Sequence, residues 1–330
     1  MHFLLNAEEI PQIQQYLLDK KWIAPDEEII SARKPGEGNM NYTLRIRTNF
    51  RTFILKQSRD YVEKYPQIPA PRERAVIEGH FYQLIQEDPK MRNFTPEVSG
   101  IDAVNSIIQL EDFGQSEDFS FLYKADQELK EDQIDEIVDF ISSLHNAFNQ
   151  DTTTPNIANK AMRELNAEHI FNYPFLAENG FSLDDVTPGL QAVAMRYKTD
   201  QAFTTRIKDL SQHYLTDGAY LLHGDYYPGS WLQTIHGVRI IDPEFCFFGP
   251  AEFDISVMIA HMKMARQPEE VSQRMLARYQ EPPKFYTSLM EQLTGVEIMR
   301  RLIGLAQLPL SLTLEEKEAL LEEAYHLIMG

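Results

Sequence analysis

The sequence predicts an α+β fold in two lobes, a small β-rich lobe followed by a larger, mainly helical one. Runs of β-branched and aromatic residues with turn residues between them fill residues 28–57. From residue 131 onward, apolar residues recur mostly at helical spacing. The 330 residues are 43% hydrophobic, which is enough for two sizeable cores. We therefore predict a nucleotide-binding lobe at 1–111 and a catalytic lobe at 112–330.

The N-terminal lobe is predicted to mix helices with short strands. Its elements are, in order, a helix over 7–21, strands at 29–30, 42–47 and 52–56, a helix over 72–86 and strands near 97–99 and 106–110. The C-terminal lobe is predicted to be helical apart from two short strands. Its elements are a helix over 131–148, an amphipathic stretch over 190–214, strands at 219–222 and 237–241, and helices from 253 to 327.

Charge and cysteine content exclude several classes of protein. The net charge of −19 argues against nucleic-acid binding, which needs a basic surface. The single cysteine, Cys246, excludes a disulfide framework within the chain. No apolar run approaches the ~20 residues of a membrane span, and residues 1–20 lack a signal-peptide pattern. We expect a soluble cytoplasmic protein whose partner is a small molecule, and the sequence leaves a homodimer open.

Two acidic loops follow apolar strands. His223-Gly224-Asp225 follows Leu221-Leu222, and Asp242-Pro243-Glu244 begins 17 positions after Asp225. Phosphoryl transfer uses one carboxylate to accept the proton of the attacking hydroxyl and another to hold the metal that bridges the phosphates. Taken singly, each aspartate is better explained as an ordinary turn residue after a strand. The pair therefore raises the hypothesis of phosphoryl transfer without establishing it.

The N-terminal half contains residues suited to a nucleotide. A turn with Gly36, Gly38 and Asn39 lies between two predicted strands, where backbone N–H groups can approach a phosphate. Lys56 ends an apolar strand and needs a counter-charge or a ligand. Either Glu78 or Glu73, in the helix that follows, is a candidate partner for it.

The order of these parts resembles the kinase signature set. With His-Gly-Asp in place of His-Arg-Asp, it is similar to the aminoglycoside phosphotransferase and choline kinase branch of the protein-kinase-like fold. Three segments together resemble the 5-methylthioribose kinase family, a family of methionine salvage. They are His223–Ser230, Ile241–Asp254 and Met299–Ala306.

The resemblance implies ATP and Mg²⁺ as cofactors and assigns a role to each candidate residue. It makes Asp225 the catalytic base. Asp242, Glu244 and Ser230 stand on the metal side, with Ser230 where most of the branch has Asn. The nucleotide side consists of Gly36, Gly38, Asn39, Lys56, Glu78 and the adenine hinge with Glu111 and Phe113. Arg300 and Arg301 are assigned to the substrate, and we expect one to reach it while the other makes an ion pair.

The acceptor stays open at this stage. Tyr226, Tyr227 and Pro228 stand where the 5-methylthioribose kinase family has Leu-His-Thr. The favoured acceptor is 5-methylthioribose or a related pentose, because an arginine pair would repel a cationic acceptor. The alternatives are an aminoglycoside, a choline-like amine or another small alcohol, and a catalytically weak nucleotide-binding pseudokinase.

Overall fold

The computed structural model describes residues 3–36, 40–151 and 157–330. The chain divides into two compact units. The first unit is Met1–Glu117 with Thr234–Glu244, and the second is Asp118–Gln233 with Phe245–Gly330. The assignment of nucleotide binding to 1–111 and catalysis to 112–330 stays a prediction.

The strands of the described residues are short. They are β1 (Ile29–Arg33), β2 (Tyr42–Thr48), β3 (Thr52–Gln57), β4 (Tyr61–Val62), β5 (Tyr65–Pro69), β6 (Val98–Asp102), β7 (Ile107–Glu111), β8 (Glu117–Asp118), β9 (Tyr220–Leu222), β10 (Trp231–Thr234), β11 (Gly237–Ile240) and β12 (Phe247–Gly249).

The helices of the described residues concentrate after residue 130. They are α1 (Ile10–Asp19), α2 (Arg74–Ile85), α3 (Pro89–Arg92), α4 (Glu131–Ala147), α5 (Lys160–Ala167), α6 (Leu190–Lys198), α7 (Gln201–Leu215), α8 (Glu252–Met264), α9 (Glu269–Arg278), α10 (Thr287–Ile303) and α11 (Leu314–Met329).

The first unit is built on an antiparallel sheet in the order β1-β2-β3-β7-β6. Alternate side chains of β2 are buried, as expected for a strand with one face on the core. Leu44 and Ile46 of β2 join a core cluster with Ile13 and Leu17 of α1. In the β3–β7 pairing Lys56 stands opposite Ile108, so the lysine is carried by an inner strand of the sheet.

A buried carboxylate joins α1 to the end of β6. Asp102 accepts hydrogen bonds from the Tyr16 hydroxyl at 2.8 Å and Asn105 Nδ2 at 2.7 Å, and pairs with Lys20 Nζ at 2.8 Å. Burial alone would raise its pKa, but the bonds from Lys20, Asn105 and Tyr16 lower the pKa of Asp102 to about 2. This carboxylate therefore stabilises the fold at neutral pH, and its contribution disappears in acid.

We expect Asp102→Asn to lower the free energy of unfolding by about 2 kcal/mol at pH 7. Because the folded pKa is depressed, the stabilisation is present above the unfolded pKa and is lost as pH falls toward about 2. Urea unfolding of both proteins between pH 7 and pH 3 measures the difference. A difference that stays constant down to pH 3 would contradict the assignment.

The second unit has a helical core that contains α7, α8, α10 and α11. A Cβ on Gly295 of α10 would lie 2.6 Å from the Ala324 carbonyl of α11, so glycine permits this close helix contact. The amphipathic stretch predicted over 190–214 consists of two helices, α6 and α7. Asp200 caps the start of the second, where its carboxylate accepts from Phe203 N at 3.0 Å.

The predicted fold class, a β-rich N-terminal region followed by a mainly helical one, is confirmed. Two elements of the first unit escaped the sequence analysis, the β4–β5 hairpin and the short helix α3. Within the described part of the chain, no helix has the length and apolar character required to cross a membrane.

Candidate active site

The loop that carries Asp225 follows β9 in the second unit. β9 pairs antiparallel with β12, with Leu222 opposite Phe247. Gly224 has φ of +86°, and a Cβ there would lie 2.2 Å from the Phe245 carbonyl oxygen. Only glycine fits this position, which explains the residue between His223 and Asp225.

Two side chains hold the backbone of the Asp225 loop in place. Asp254 of α8 accepts hydrogen bonds from the backbone N–H groups of His223 at 2.7 Å and Gly224 at 2.9 Å. The Ser230 hydroxyl donates to the Asp225 carbonyl at 2.9 Å. Ser230, which the sequence assigns to the metal side, thus contacts the backbone of Asp225. The loop is held through its peptide groups, and its carboxylate is left for other partners.

Both arginines of α10 contact the Asp225 carboxylate. Arg301 Nη2 lies 3.0 Å and Arg300 Nη1 3.7 Å from Asp225 Oδ1. Glu297, one turn earlier on α10, accepts from Arg301 Nε at 2.6 Å and Arg300 Nη1 at 3.1 Å. We call these four residues the aspartate cluster. Its two positive and two negative charges balance.

The arginine pair differs from the sequence expectation. One arginine was expected to be ion-paired and the other to face a substrate, because adjacent helical residues point about 100° apart. Both are instead ion-paired and only 5% exposed. Their long side chains converge on the same two carboxylates. Substrate contact by Arg300 and Arg301 stays a prediction.

In the first unit, Lys56 lies between two carboxylates. Its Nζ is 2.6 Å from Glu78 Oε2 and 2.5 Å from Asp242 Oδ1. Burial would lower the pKa of Lys56, but Asp242, Glu78 and Glu244 outweigh it and raise the pKa above its usual value. The partner in α2 is Glu78, whereas Glu73 is the exposed residue that precedes the helix. Lys56, Glu78, Asp242 and Glu244 form what we call the lysine cluster.

Acidic side chains outnumber basic ones around Lys56. Three carboxylates face Lys56 and the buried Arg74, whose Nε lies 3.6 Å from Glu244 Oε2. Burial and the neighbouring carboxylates raise the pKa of Glu78 to about 8, although Lys56 opposes this shift. Burial likewise raises the pKa of Glu244. A bound divalent cation would relieve this imbalance.

Asp242 is the acid of the lysine cluster that is accessible to a ligand. Its side chain is 49% exposed, against 1% for Glu78 and 7% for Glu244. It has φ of +64°, and its backbone N–H donates to the Tyr82 hydroxyl at 3.0 Å. Within the described residues no three His, Cys, Asp or Glu side chains form a complete metal site. Carboxylate oxygens suit Mg²⁺, whose other ligands are commonly water and substrate phosphates.

Arg74 ties the segments around the lysine cluster together. Its guanidinium donates to four backbone carbonyls, those of Met40, Arg59, Tyr61 and Pro71, at 2.6 to 3.0 Å. The side chain is fully buried at the start of α2. These bonds link the β4–β5 hairpin and the segment before β2 to the helix that carries Glu78.

Glu244 has a further partner just before β2. Asn41 Nδ2 donates to Glu244 Oε2 at 2.8 Å. Of the predicted glycine-rich turn only Gly36 is described, in an exposed bend with nothing within 4 Å of an added Cβ. Gly38 and Asn39 lie outside the described residues. The phosphate-binding role of this turn stays a prediction.

The predicted adenine hinge follows β7. Arg45 braces it, because its Nε and Nη2 contact Asp112 Oδ1 at 3.1 and 2.9 Å and its Nη2 donates to the Gly114 carbonyl at 2.7 Å. Glu111 is exposed and Phe113 is half-buried. Their contact with adenine stays a prediction.

The structure thus gathers most predicted site residues into two groups. The predicted residues Lys56, Glu78, Asp242 and Glu244 form the lysine cluster, and the predicted residues Asp225, Arg300 and Arg301 are three of the four members of the aspartate cluster. Sequence reasoning missed the partners that hold them, namely Asn41, Arg74, Tyr82, Asp254 and Glu297. For Arg74 the available signal was an arginine one helical turn before Glu78.

Comparison with known proteins gives consistent matches. A family model described as the phosphotransferase enzyme family (APH) matches residues 31–291. Methylthioribose kinase from Exiguobacterium sibiricum is 27% identical over 256 residues, or 73% of this chain, and the chain spans 63% of that relative's length. Methylthioribose kinase from a Geobacillus species is 23% identical over 349 residues, covering 93% of this chain and 86% of the relative.

Solved structures share the fold. One match is the structure of LicA in complex with AMP, and another is that of the choline kinase LicA from Streptococcus pneumoniae. The AMP complex superposes with a TM-score of 0.55 at 11% identity, covering 98% of this chain and 99% of that one.

Proposed function

Because the chain belongs to the phosphotransferase enzyme family, we propose that it is an ATP-dependent small-molecule kinase. It would transfer the γ-phosphate of Mg-ATP to a hydroxyl of 5-methylthioribose or a related pentose. The observation that carries the proposal is the buried Lys56 within 2.6 Å of both Glu78 and the half-exposed Asp242. A lysine fixed by a helical glutamate beside a metal-binding aspartate is the nucleotide-binding arrangement of kinases.

In this proposal the lysine cluster holds the nucleotide. Lys56 contacts the phosphates, Glu78 orients Lys56, and Asp242 and Glu244 bind Mg²⁺. The bound cation supplies charge neutralisation of phosphates that a protein of net charge −19 would otherwise repel. Ser230 stays a proposed metal-side residue, and Phe113 and Glu111 a proposed adenine contact.

Asp225 is the proposed catalytic base. Arg301 and Arg300 both approach its Oδ1, so we assign Oδ2 to the acceptor hydroxyl. The hydroxyl proton passes to Asp225, the acceptor oxygen bonds to the γ-phosphorus, and the bond to the β,γ-bridging oxygen breaks. ADP leaves with that oxygen.

The acceptor proposal draws support from the relatives. Two relatives that match much of this chain are named methylthioribose kinases. A small cationic alcohol is the second candidate, because LicA is named a choline kinase. One observation favours it: Asp225 and Glu297 balance the charges of Arg300 and Arg301, so the arginines alone do not exclude a cation.

A coupled assay of ADP release tests the proposal. The protein is assayed with Mg-ATP and a panel of 5-methylthioribose, ribose, choline and spectinomycin, with ATP alone as the control. We expect acceptor-dependent turnover that requires Mg²⁺ and is fastest with 5-methylthioribose. Faster turnover with choline or spectinomycin would establish the second candidate. ADP release at the same rate with and without every acceptor would indicate ATP hydrolysis and contradict a small-molecule kinase. The absence of any ADP release would favour a pseudokinase.

A further inference from the structure

We propose that Glu297 is a positioning residue that orients the Asp225 carboxylate through Arg301. The proposal rests on the proposed function, because it concerns the base of that reaction. It extends the function by assigning a role to three residues outside the family motifs noted above, namely Glu297, His261 and Tyr123. None of these three residues is hydrogen-bonded to Asp225 in the series of hydrogen bonds described next. They act on Asp225 through Arg301.

A continuous chain of hydrogen bonds ends at Asp225. The Tyr123 hydroxyl lies 2.5 Å from His261 Nδ1, and His261 Nε2 lies 3.1 Å from Glu297 Oε1. Arg301 Nε donates to the same Glu297 oxygen at 2.6 Å, and Arg301 Nη2 donates to Asp225 Oδ1 at 3.0 Å. Apart from Asp225, every member is at least 95% buried.

The direction of each hydrogen bond follows from the charges. Burial opposes ionisation of Glu297, but Arg300, Arg301 and His261 outweigh burial and hold its pKa well below the usual range. Glu297 is therefore an ionised carboxylate and accepts every bond. His261 must donate from Nε2, which leaves Nδ1 to accept from the Tyr123 hydroxyl. Burial lowers the pKa of His261 to about 4, so the imidazole is neutral.

The loop after Asp225 packs against this chain of hydrogen bonds. The Tyr227 ring lies 5.0 Å from the His261 ring, and the Arg301 guanidinium lies over the Tyr227 ring at 4.8 Å from its centre. Tyr226 is fully buried, and its hydroxyl donates to the Ile137 carbonyl. Tyr227 thus packs against both the arginine and the histidine, whereas Tyr226 packs against His223 and Trp231.

Fixing Arg301 affects Asp225 directly. A free arginine side chain samples many rotamers, and Glu297 removes this freedom before the acceptor arrives. Because the Arg301 guanidinium is held against Oδ1 of Asp225, the orientation of the other carboxylate oxygen is fixed. Catalysis is sensitive to such orientation, since a misplacement of about 1 Å can cost roughly 100-fold in rate.

The kinetic test uses Glu297→Gln, which keeps the shape and removes the charge. We expect kcat to fall about tenfold with the KM for ATP unchanged. In an Asp225→Asn background the same change should have no further effect on the residual rate, since Glu297 acts through Asp225. Multiplicative effects, or an unchanged kcat, would overturn the proposal.

A matched control separates positioning from a general loss of stability. Glu252 of α8 is another buried glutamate of the second unit, 3% exposed, and accepts from the Tyr286 backbone N–H at 2.7 Å. We expect Glu252→Gln to lower the melting temperature while leaving kcat at the wild-type value. An equal fall of kcat in both variants would overturn a specific role for Glu297.

A readout independent of activity completes the test. In a ¹H–¹⁵N spectrum of arginine Nε–H groups, the Arg301 resonance is assigned by its loss in Arg301→Lys. In the wild-type protein we expect this resonance to be shifted downfield and its proton to exchange slowly with water. In Glu297→Gln we expect its chemical shift to be averaged by side-chain motion. Persistence of the resonance in the variant would overturn the inference. Absence of turnover in the wild-type protein would overturn the proposed function instead. The Arg301 resonance would then test only the contact between Glu297 and Arg301.

Discussion

Asp225→Asn is expected to lower kcat by about 10²–10⁴-fold, the usual contribution of a general base. Asparagine keeps the size of the side chain but accepts a proton poorly, and it removes one of the two anionic partners of Arg301 and Arg300. The fold should survive, because Asp254 and Ser230 hold this loop through its backbone groups.

Steady-state kinetics and titration calorimetry together measure this effect. The dissociation constant for Mg-ATP should stay near the wild-type value. Asp217→Asn is the matched control, because Asp217 is an exposed aspartate of the same unit that pairs with Arg163 at 2.6 Å. A variant at position 225 that keeps more than a tenth of wild-type turnover would rule out Asp225 as the base.

Asp242→Ala is expected to weaken Mg-ATP binding by about 100-fold. The variant loses the half-exposed carboxylate proposed to bind Mg²⁺ and one of the two anions next to Lys56. Hydrogen bonds to charged groups contribute about 1.5–3 kcal/mol, which corresponds to roughly 10–100-fold, and the lost metal ligand adds to this.

The dependence on Mg²⁺ identifies the cause. Calorimetry with ATP in the presence and absence of Mg²⁺ should give tighter binding with Mg²⁺ for the wild-type protein and little difference for Asp242→Ala. Asp102→Asn, which removes a carboxylate elsewhere in the first unit, should keep the wild-type dependence. If the Asp242 variant binds Mg-ATP with unchanged affinity, Asp242 is not the metal ligand.

The sequence predicted most elements because their signals are local. Hydrophobic alternation in β2 and helical spacing in α4 depend on neighbouring residues, and the helix and strand bounds agree to within a few positions. The amphipathic stretch predicted over 190–214 did not show the division between α6 and α7. The cap at Asp200 depends on one hydrogen bond that periodicity does not reveal.

The partners within the site depend on contacts between distant parts of the chain. Asn41 reaches Glu244 across 203 positions, and Lys56 reaches Asp242 across 186. The choice between Glu73 and Glu78 required the orientation of α2, which the sequence leaves open. The arginine pair shows a further limit of sequence-based prediction. Helical spacing sets the directions of the Cβ atoms of Arg300 and Arg301, but it does not set the positions of the guanidinium groups at the ends of these long side chains.

The measurement that tests the central claim most directly follows the γ-phosphate itself. The protein is incubated with Mg-ATP labelled with ¹⁸O on the γ-phosphate and with 5-methylthioribose, and the products are analysed by mass spectrometry. We predict labelled 5-methylthioribose phosphate in the wild-type reaction and none above background with Asp225→Asn. Label found only in inorganic phosphate, or an equal yield of labelled sugar phosphate with Asp225→Asn, would contradict the account.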